Sequence, residues 1–306
     1  MRSRYILGTR GSSLAMCQAQ IVQTLLEAQH PGTAFQVKTI HARADRAPEQ
    51  PLVSMSGEGV FVKELEAALQ DHEIDLAVHS LKDLPLQGPK TLCLGAILAR
   101  EEPRDALVSK SDTPFDGLPA GARVGTSSRR RQSQLRAWRQ DVELADIRGN
   151  VDTRLRKLDE GRYDAVVVAA CGLIRLGLEE RITEYLPTER MLPEPGQGAL
   201  AIEVREDDAD VRGLVAGLDD ARSRACVEAE RALLGALGGG CHLPIAGLAS
   251  CGTDTLTLEG AVIAVDGRRQ VRSRLDGPLQ EARAVGERLG QILIRQGALD
   301  LLNEVS

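Results

Sequence analysis

From residue 4 to about residue 170, short runs of aliphatic and β-branched residues alternate with segments of helical period, and the alternation occurs twice. "RYILGT" predicts a strand, residues 12–27 a helix, "FQVKTIH" a strand and "VFVKELEAALQ" a helix; "IDLAVHS" and "LCLGAIL" follow as apolar strands. Beyond "REEPRDA" the pattern resumes with "ARVGTS", a helix over 128–138, "VELADIR", a helix over 151–160 and "YDAVVVAA". Strands that are apolar along their whole length belong to sheets covered on both faces, and strand–helix alternation builds layered α/β domains. The expected fold class is therefore α/β, with two similar lobes. Charged or proline-bearing hinges fall near 100–104 and at "LPEPGQGA", 192–199, and two crossings between lobes predict a ligand cleft. From about residue 221 the chain changes character. A helix over "SRACVEAERALLGAL", short strands with a hairpin turn at "VDGRRQ" and a long amphipathic helix predict a small α+β domain.

Composition narrows the partners. Aromatic residues make up 2% of the 306, so the core must be aliphatic. The net charge of −6 argues against a whole-molecule nucleic-acid footprint. The basic residues are 32 arginines and six lysines, and arginine is the better bidentate partner for carboxylates. The N-terminus lacks the apolar run of a signal peptide, and no window reaches the length of a membrane span, so the expected compartment is the cytoplasm. Six cysteines, at 17, 93, 171, 226, 241 and 251, occur singly and read as reduced thiols rather than a disulfide framework or zinc site. Five scattered histidines suggest no metal.

Four strand-to-helix junctions carry arginines. "GTSSRRRQSQL" places hydroxyls and a helix start beside Arg130 and Arg131, an arrangement suited to anions. It reads equally as an N-cap followed by arginines on a solvated helix face. "IRGNVDTRL" repeats the device with Arg148 and Arg154, "AACGLIRLG" with Arg175, and "GTRGSSLAMCQ" with Arg10, Ser12 and Gln18. In a parallel sheet such junctions share one edge, so together they predict a ligand with several carboxylates or phosphates. "AVHSLKDLP" sets Lys82 beside Asp83, either as an ion-paired loop or as a carboxylate kept ionised among cations. "LGGGCHLPIAG" places three glycines before Cys241; it reads first as a helix C-cap and loop, with Cys241 a small buried residue.

"HSLKDLP", "GTSSRRRQ", "RGNVDTRL", "PGQGALAIE" and "GGGCHLPIAG", in this order and spacing, resemble the porphobilinogen deaminase (hydroxymethylbilane synthase) family over nearly the whole chain. The resemblance implies two type II periplasmic-binding-protein-like lobes with mixed, largely parallel sheets and a small C-terminal α+β domain. Their expected bounds are 1–99 with 198–217, 104–193, and 221–306. It also implies a dipyrromethane cofactor joined by a thioether to Cys241, with the bare glycine backbone giving that cofactor passage. The implied reaction deaminates porphobilinogen and condenses four units head to tail on this primer, and hydrolysis then frees hydroxymethylbilane. An electron-poor methylenepyrrolenine is attacked by the terminal pyrrole, with Asp83 as the catalytic carboxylate that stabilises developing positive charge. Cofactor contacts fall on Lys82, Asp83, Thr126, Ser128, Arg130, Arg131 and Gly172. Substrate contacts fall on Arg10, Ser12, Gln18, Phe61, Arg148, Arg154 and Arg175. No metal, nucleic acid, membrane or obligate oligomer is implied.

The sequence departs from the family pattern in "ARADRAPEQPLVSMSGEGVF", where Ala44 replaces a glycine and Glu58 a common lysine, and at Gly238 and His242 around the cysteine. The rival from another class is a two-lobed anion- or solute-binding protein without catalysis. Asp83 and the C-terminal domain with Cys241 favour the enzyme.

Overall fold

The computed structural model describes residues 2–40, 62–240 and 243–304. The chain divides into two compact units, residues 1–100 with 199–224, and residues 101–198 with 225–306. The first unit begins with β1 (Arg4–Thr9), α1 (Ser13–Gln29), β2 (Ala34–Thr39), α2 (Lys63–Gln70), β3 (Leu76–Ser80) and β4 (Leu92–Ile97). The second unit supplies β5 (Asp105–Ser109), β6 (Arg123–Gly125), α3 (Arg129–Trp138), β7 (Glu143–Ala145), α4 (Val151–Asp159), β8 (Ala165–Ala169), α5 (Ala170–Arg175) and β9 (Glu184–Tyr185). The chain then returns to the first unit for β10 (Leu200–Arg205) and α6 (Ala209–Val215). It ends with α7 (Ala221–Ala236), β11 (Ile245–Cys251), β12 (Thr255–Ile263), β13 (Gln270–Pro278), α8 (Ala282–Arg295) and α9 (Ala298–Asn303).

Each unit holds one five-stranded mixed sheet, ordered β2-β1-β3-β10-β4 in the first and β7-β6-β8-β5-β9 in the second. The two orders are equivalent. β1 pairs in parallel with β2 and β3, as β6 does with β7 and β8. One late or early strand is then inserted against the others: β10 runs antiparallel to β3 and β4, and β5 antiparallel to β8 and β9. The strand runs read from the sequence coincide with β1–β4 and β6–β8. β5 escaped that reading because its first residue, Asp105, closes the charged stretch taken for a hinge, and β9 because it is two residues long.

The cores are aliphatic, as the composition demands. Leu7, Leu26, Leu76, Ile202 and Val204 fill the first sheet's face, and Leu107, Val124, Leu135 and Val167 the second's. In the second unit β11, β12 and β13 form an antiparallel sheet, whose core joins α7 and α8 through Leu233, Leu258, Leu289 and Leu293. The two helices approach until a Cβ added at Gly286 would lie 2.2 Å from the Ala229 carbonyl oxygen and 2.7 Å from the Ala232 Cβ. Backbone cannot yield there as a flexible side chain would. Gly286→Val is expected to lower unfolding stability by about 2–3 kcal/mol, measured by urea denaturation; an unchanged midpoint would show that the helices separate without penalty.

Candidate active site

The second unit gathers most of the residues singled out in the sequence. β6 ends at Gly125, and Thr126 is fully buried; its carbonyl accepts a hydrogen bond from Gln132 Nε2 (2.7 Å) and its hydroxyl oxygen one from the Ser128 amide (3.3 Å). Ser128 then caps α3, its Oγ accepting from the Arg131 amide at 3.4 Å. The N-cap reading of this motif therefore holds. The solvated-face reading fails, because Arg130 and Arg131 are 2% and 5% exposed.

What permits two guanidiniums to be buried side by side is Asp105, the first residue of β5, which is itself fully buried. Arg130 Nη1 donates to Asp105 Oδ2 (2.8 Å), while Arg131 Nε and Nη2 donate to Oδ1 (3.0 and 2.8 Å). Gln197 Nε2 adds a further donor to Oδ1 at 2.9 Å. Burial by itself would raise the Asp105 pKa, but the charges of Arg130 and Arg131 and their hydrogen bonds prevail and hold it far below the usual carboxylate range. Arg130 Nη1 also reaches the Leu192 carbonyl (2.8 Å), and Arg131 Nη1 the Val167 carbonyl (3.2 Å).

Two buried donors are left over. Arg130 Nε and Nη2 have no hydrogen-bond partner among the described residues. A buried donor in that state costs about 1–3 kcal/mol, so it usually marks a partner supplied from elsewhere. Arg130 lines a small opening with Glu194, Pro195, Leu234, Gly240, Leu243 and Ile245. Gly240 directly precedes Cys241, which with His242 lies outside the described residues, as do Phe61, Ala44 and Glu58. The donor set thus fits a carboxylate-bearing group attached next to Gly240.

The glycine run itself divides its labour. Gly238 (φ +65°) ends α7: its amide donates to the Gly235 carbonyl and the Gly239 amide to the Leu234 carbonyl, both at 3.0 Å. That is the paired bonding of a Schellman stop, which calls for a left-handed residue. At Gly239 a Cβ would lie 2.5 Å from Ile245 Cδ1 and 2.7 Å from Leu234 Cδ1, so those side chains would have to shift to admit one. Gly238 and Gly239 thus serve the helix end and its packing, while Gly240 lines the opening beside Arg130.

Arg154, on α4, donates from Nε to the Gly149 carbonyl (2.9 Å). Burial and then the positive charge of Arg131 push its pKa down to about 10, so Arg131 and Arg154 share one electropositive region. Arg148 is half-buried, with its carbonyl accepting from Lys157 Nζ (3.0 Å). Gly172 is buried in α5. Arg175 ends that helix with its Nε bonded to Glu101 Oε2 and its Nη2 to the Gly198 carbonyl (2.7 Å). The two crossing segments also bond to each other, the Glu101 amide to the Gly198 carbonyl and Gln197 Nε2 to the Pro103 carbonyl. Asp105, Gln197 and Glu101 were not picked out in the sequence. The available signal was electrostatic: arginines at positions facing an apolar sheet require a buried acid, and an aspartate opens the apolar run "ALVS".

The first unit carries the remaining positions. Ser12 caps α1 by accepting from the Ala15 amide (3.2 Å), with Arg10 half-buried just before it. Gln18 is buried and donates to Ser80 Oγ (2.8 Å) at the end of β3. Directly after Ser80 a single 3₁₀ turn, Leu81–Asp83, buries Leu81, half-buries Lys82 and leaves Asp83 exposed. The strand delivering this turn is fixed laterally by His79 Nε2, 3.1 Å from Glu203 Oε2 of β10, both groups buried.

Known proteins resemble this chain over nearly its whole length. The family model described as "Porphobilinogen deaminase, dipyromethane cofactor binding domain" matches residues 5–213, and "Porphobilinogen deaminase, C-terminal domain" matches 224–295. The chain is 48% identical over 302 residues to a porphobilinogen deaminase of Nitratidesulfovibrio vulgaris, covering 98% of this chain and 96% of that protein. It is 46% identical over 299 residues to one of Syntrophobacter fumaroxidans, covering 98% and 97%. Among solved structures it is similar to the probable extracellular-binding protein ytmK of Bacillus subtilis, at 13% identity and a TM-score of 0.40, over 71% of this chain and 90% of that one.

The Asp105 pair sets a pH dependence. A carboxylate whose folded pKa lies below its unfolded value, about 3.9, contributes stability that is complete above that value and is lost as pH falls through the folded one. Asp105→Asn is expected to lower stability at neutral pH by about 3–5 kcal/mol, because it leaves two buried guanidiniums uncompensated. It should also flatten the loss of stability below about pH 4. Chemical denaturation across pH measures both, and parallel acid limbs for the two proteins would contradict the assignment.

Proposed function

The chain belongs to the porphobilinogen deaminase family, and on that premise we propose how its own residues divide the family's work. The activity is deamination of porphobilinogen and head-to-tail condensation of four units on a dipyrromethane primer, with hydroxymethylbilane released by hydrolysis in tetrapyrrole biosynthesis. The primer, when bound, supplies the nucleophilic pyrrole carbon from which the chain grows. We assign its attachment to Cys241, and three domains at 1–99 with 198–217, 104–193 and 221–306.

The observation that carries the site assignment is Arg130, buried with Nε and Nη2 unpartnered in an opening that Gly240 lines. A carboxylate there would satisfy both donors, each charge-assisted bond contributing about 1.5–3 kcal/mol. Arg131 is held by Asp105 and fixes the direction of the electropositive region, and Arg154 extends it. Thr126, Ser128, Lys82 and Gly172 complete the cofactor contacts in this reading. Arg10, Ser12, Gln18, Phe61, Arg148 and Arg175 serve the substrate's acetate and propionate groups.

Asp83 is the catalytic residue in this assignment. Asp83 lies exposed on a turn that follows the buried Leu81 and the strand held by the buried His79–Glu203 contact. It would hold pyrrole N–H groups and stabilise the positive charge that develops as ammonia leaves, an electrostatic role. Arginines clustered at strand-to-helix junctions suit the many substrate carboxylates. No helix among the described residues is long and apolar enough to cross a membrane. We place the enzyme in the cytoplasm as a monomer, without nucleic-acid partners.

Intact-protein mass spectrometry tests attachment: the purified protein is expected to exceed its sequence mass by one dipyrromethane, and Cys241→Ser to lose that increment. An unmodified wild-type protein from a tetrapyrrole-producing host would remove Cys241 from its role. Asp83→Asn is expected to retain the added mass while kcat falls by about 10²-fold or more. Near-normal turnover in that variant would show that the carboxylate is dispensable.

A further inference from the structure

The second unit contains a pair of thiols that the reaction does not use. Cys226 lies in the first half of α7 and is 7% exposed, while Cys251 is the last residue of β11 and half-buried. Their sulfurs are 2.9 Å apart, inside ordinary nonbonded contact yet well beyond the ~2.05 Å of a disulfide bond. We propose that Cys226 and Cys251 form a site of reversible oxidative modification, closing to a disulfide when the protein meets a peroxide.

Their approach is imposed by neighbouring contacts. Glu230 is fully buried on α7, and its two carboxylate oxygens accept from the amides of Ala249 (2.7 Å) and Gly196 (2.7 Å). Residues four apart share a helix face, and residues two apart share a strand face. The bond between Glu230 and Ala249 therefore brings Cys226, one turn earlier, onto Cys251, two residues later. Both thiols border the same aliphatic cluster, which includes Leu256 and Val285. β11 stops at Cys251, where the Gly252 amide bonds the Thr255 carbonyl in a turn. That turn gives Cys251 a solvent path that Cys226 lacks.

The chemistry balances with hydrogen peroxide as oxidant. The more accessible Cys251 attacks one peroxide oxygen, giving a sulfenic acid and one water. The Cys226 sulfur then attacks the sulfenic sulfur, the S–S bond forms and a second water leaves. The pair has lost two electrons and two protons, and a dithiol reductant reverses the step by exchange. The link closes the chain around residues 226–251, a loop that contains the glycine run and Cys241. Cys226 itself lies ~15 Å along α7 from that helix's C-terminal end.

The test uses the purified holoprotein. It is treated with hydrogen peroxide, alkylated, digested without reduction and mapped by mass spectrometry. The expected result is a peptide pair joined through Cys226 and Cys251, lighter by two hydrogens, restored to two alkylated thiols by dithiothreitol. Thermal unfolding of the oxidised protein should shift upward and return on reduction. Cys251→Ser and, separately, Cys226→Ala should each abolish the linked peptide and the thermal shift, and either variant suffices should the other fail to fold. Separately alkylated Cys226 and Cys251 after treatment, or sulfinic acid on Cys251 with Cys226 still a thiol, would overturn the proposal.

Discussion

Two arginine side chains next to each other in an interior are tenable only if a carboxylate meets both, and in this protein Asp105 does. It receives one guanidinium on each oxygen and a glutamine amide besides. From this contact follow the burial of α3's first turn and the direction in which Arg130 presents its two remaining donors. The low pKa of Arg154 has a related origin. Burial and Arg131 both act to weaken its charge, so an anion entering the region would offset both at once.

The three glycines before Cys241 show how several demands can share one short sequence. Gly238 supplies the left-handed conformation that stops α7, Gly239 yields space to Ile245 and Leu234, and Gly240 faces Arg130's opening. Repetition of one residue type conceals three different requirements.

Regular elements were legible in the sequence because their signals are local. β1–β4, α1, α3, α4 and the β12–β13 hairpin all coincide with runs whose period or turn residues could be read directly. The site was half legible. Hydroxyls and arginines at strand ends pointed to anion binding, and Ser12, Ser128 and Asn150 do cap helices. What remained hidden depends on contacts distant in the chain. Asp105 meets Arg130 across 25 positions and Gln197 across 92. No periodicity reports such a pairing, and Asp105 seemed to belong to a charged connector. The insertion of β10 between β3 and β4 was equally invisible to local pattern, since it is a property of topology.

That insertion has a consequence for the order in which the protein takes shape on the ribosome. The five-stranded sheet of the second unit is complete in one continuous stretch, from Asp105 to Tyr185. The first sheet must wait for Leu200–Arg205, because until that strand emerges β4 has no hydrogen-bonded neighbour within it. Domains ordinarily fold in the sequence of their synthesis. Here the segment made first is the one finished later, and roughly a hundred nascent residues wait, partly assembled, for a strand encoded far downstream.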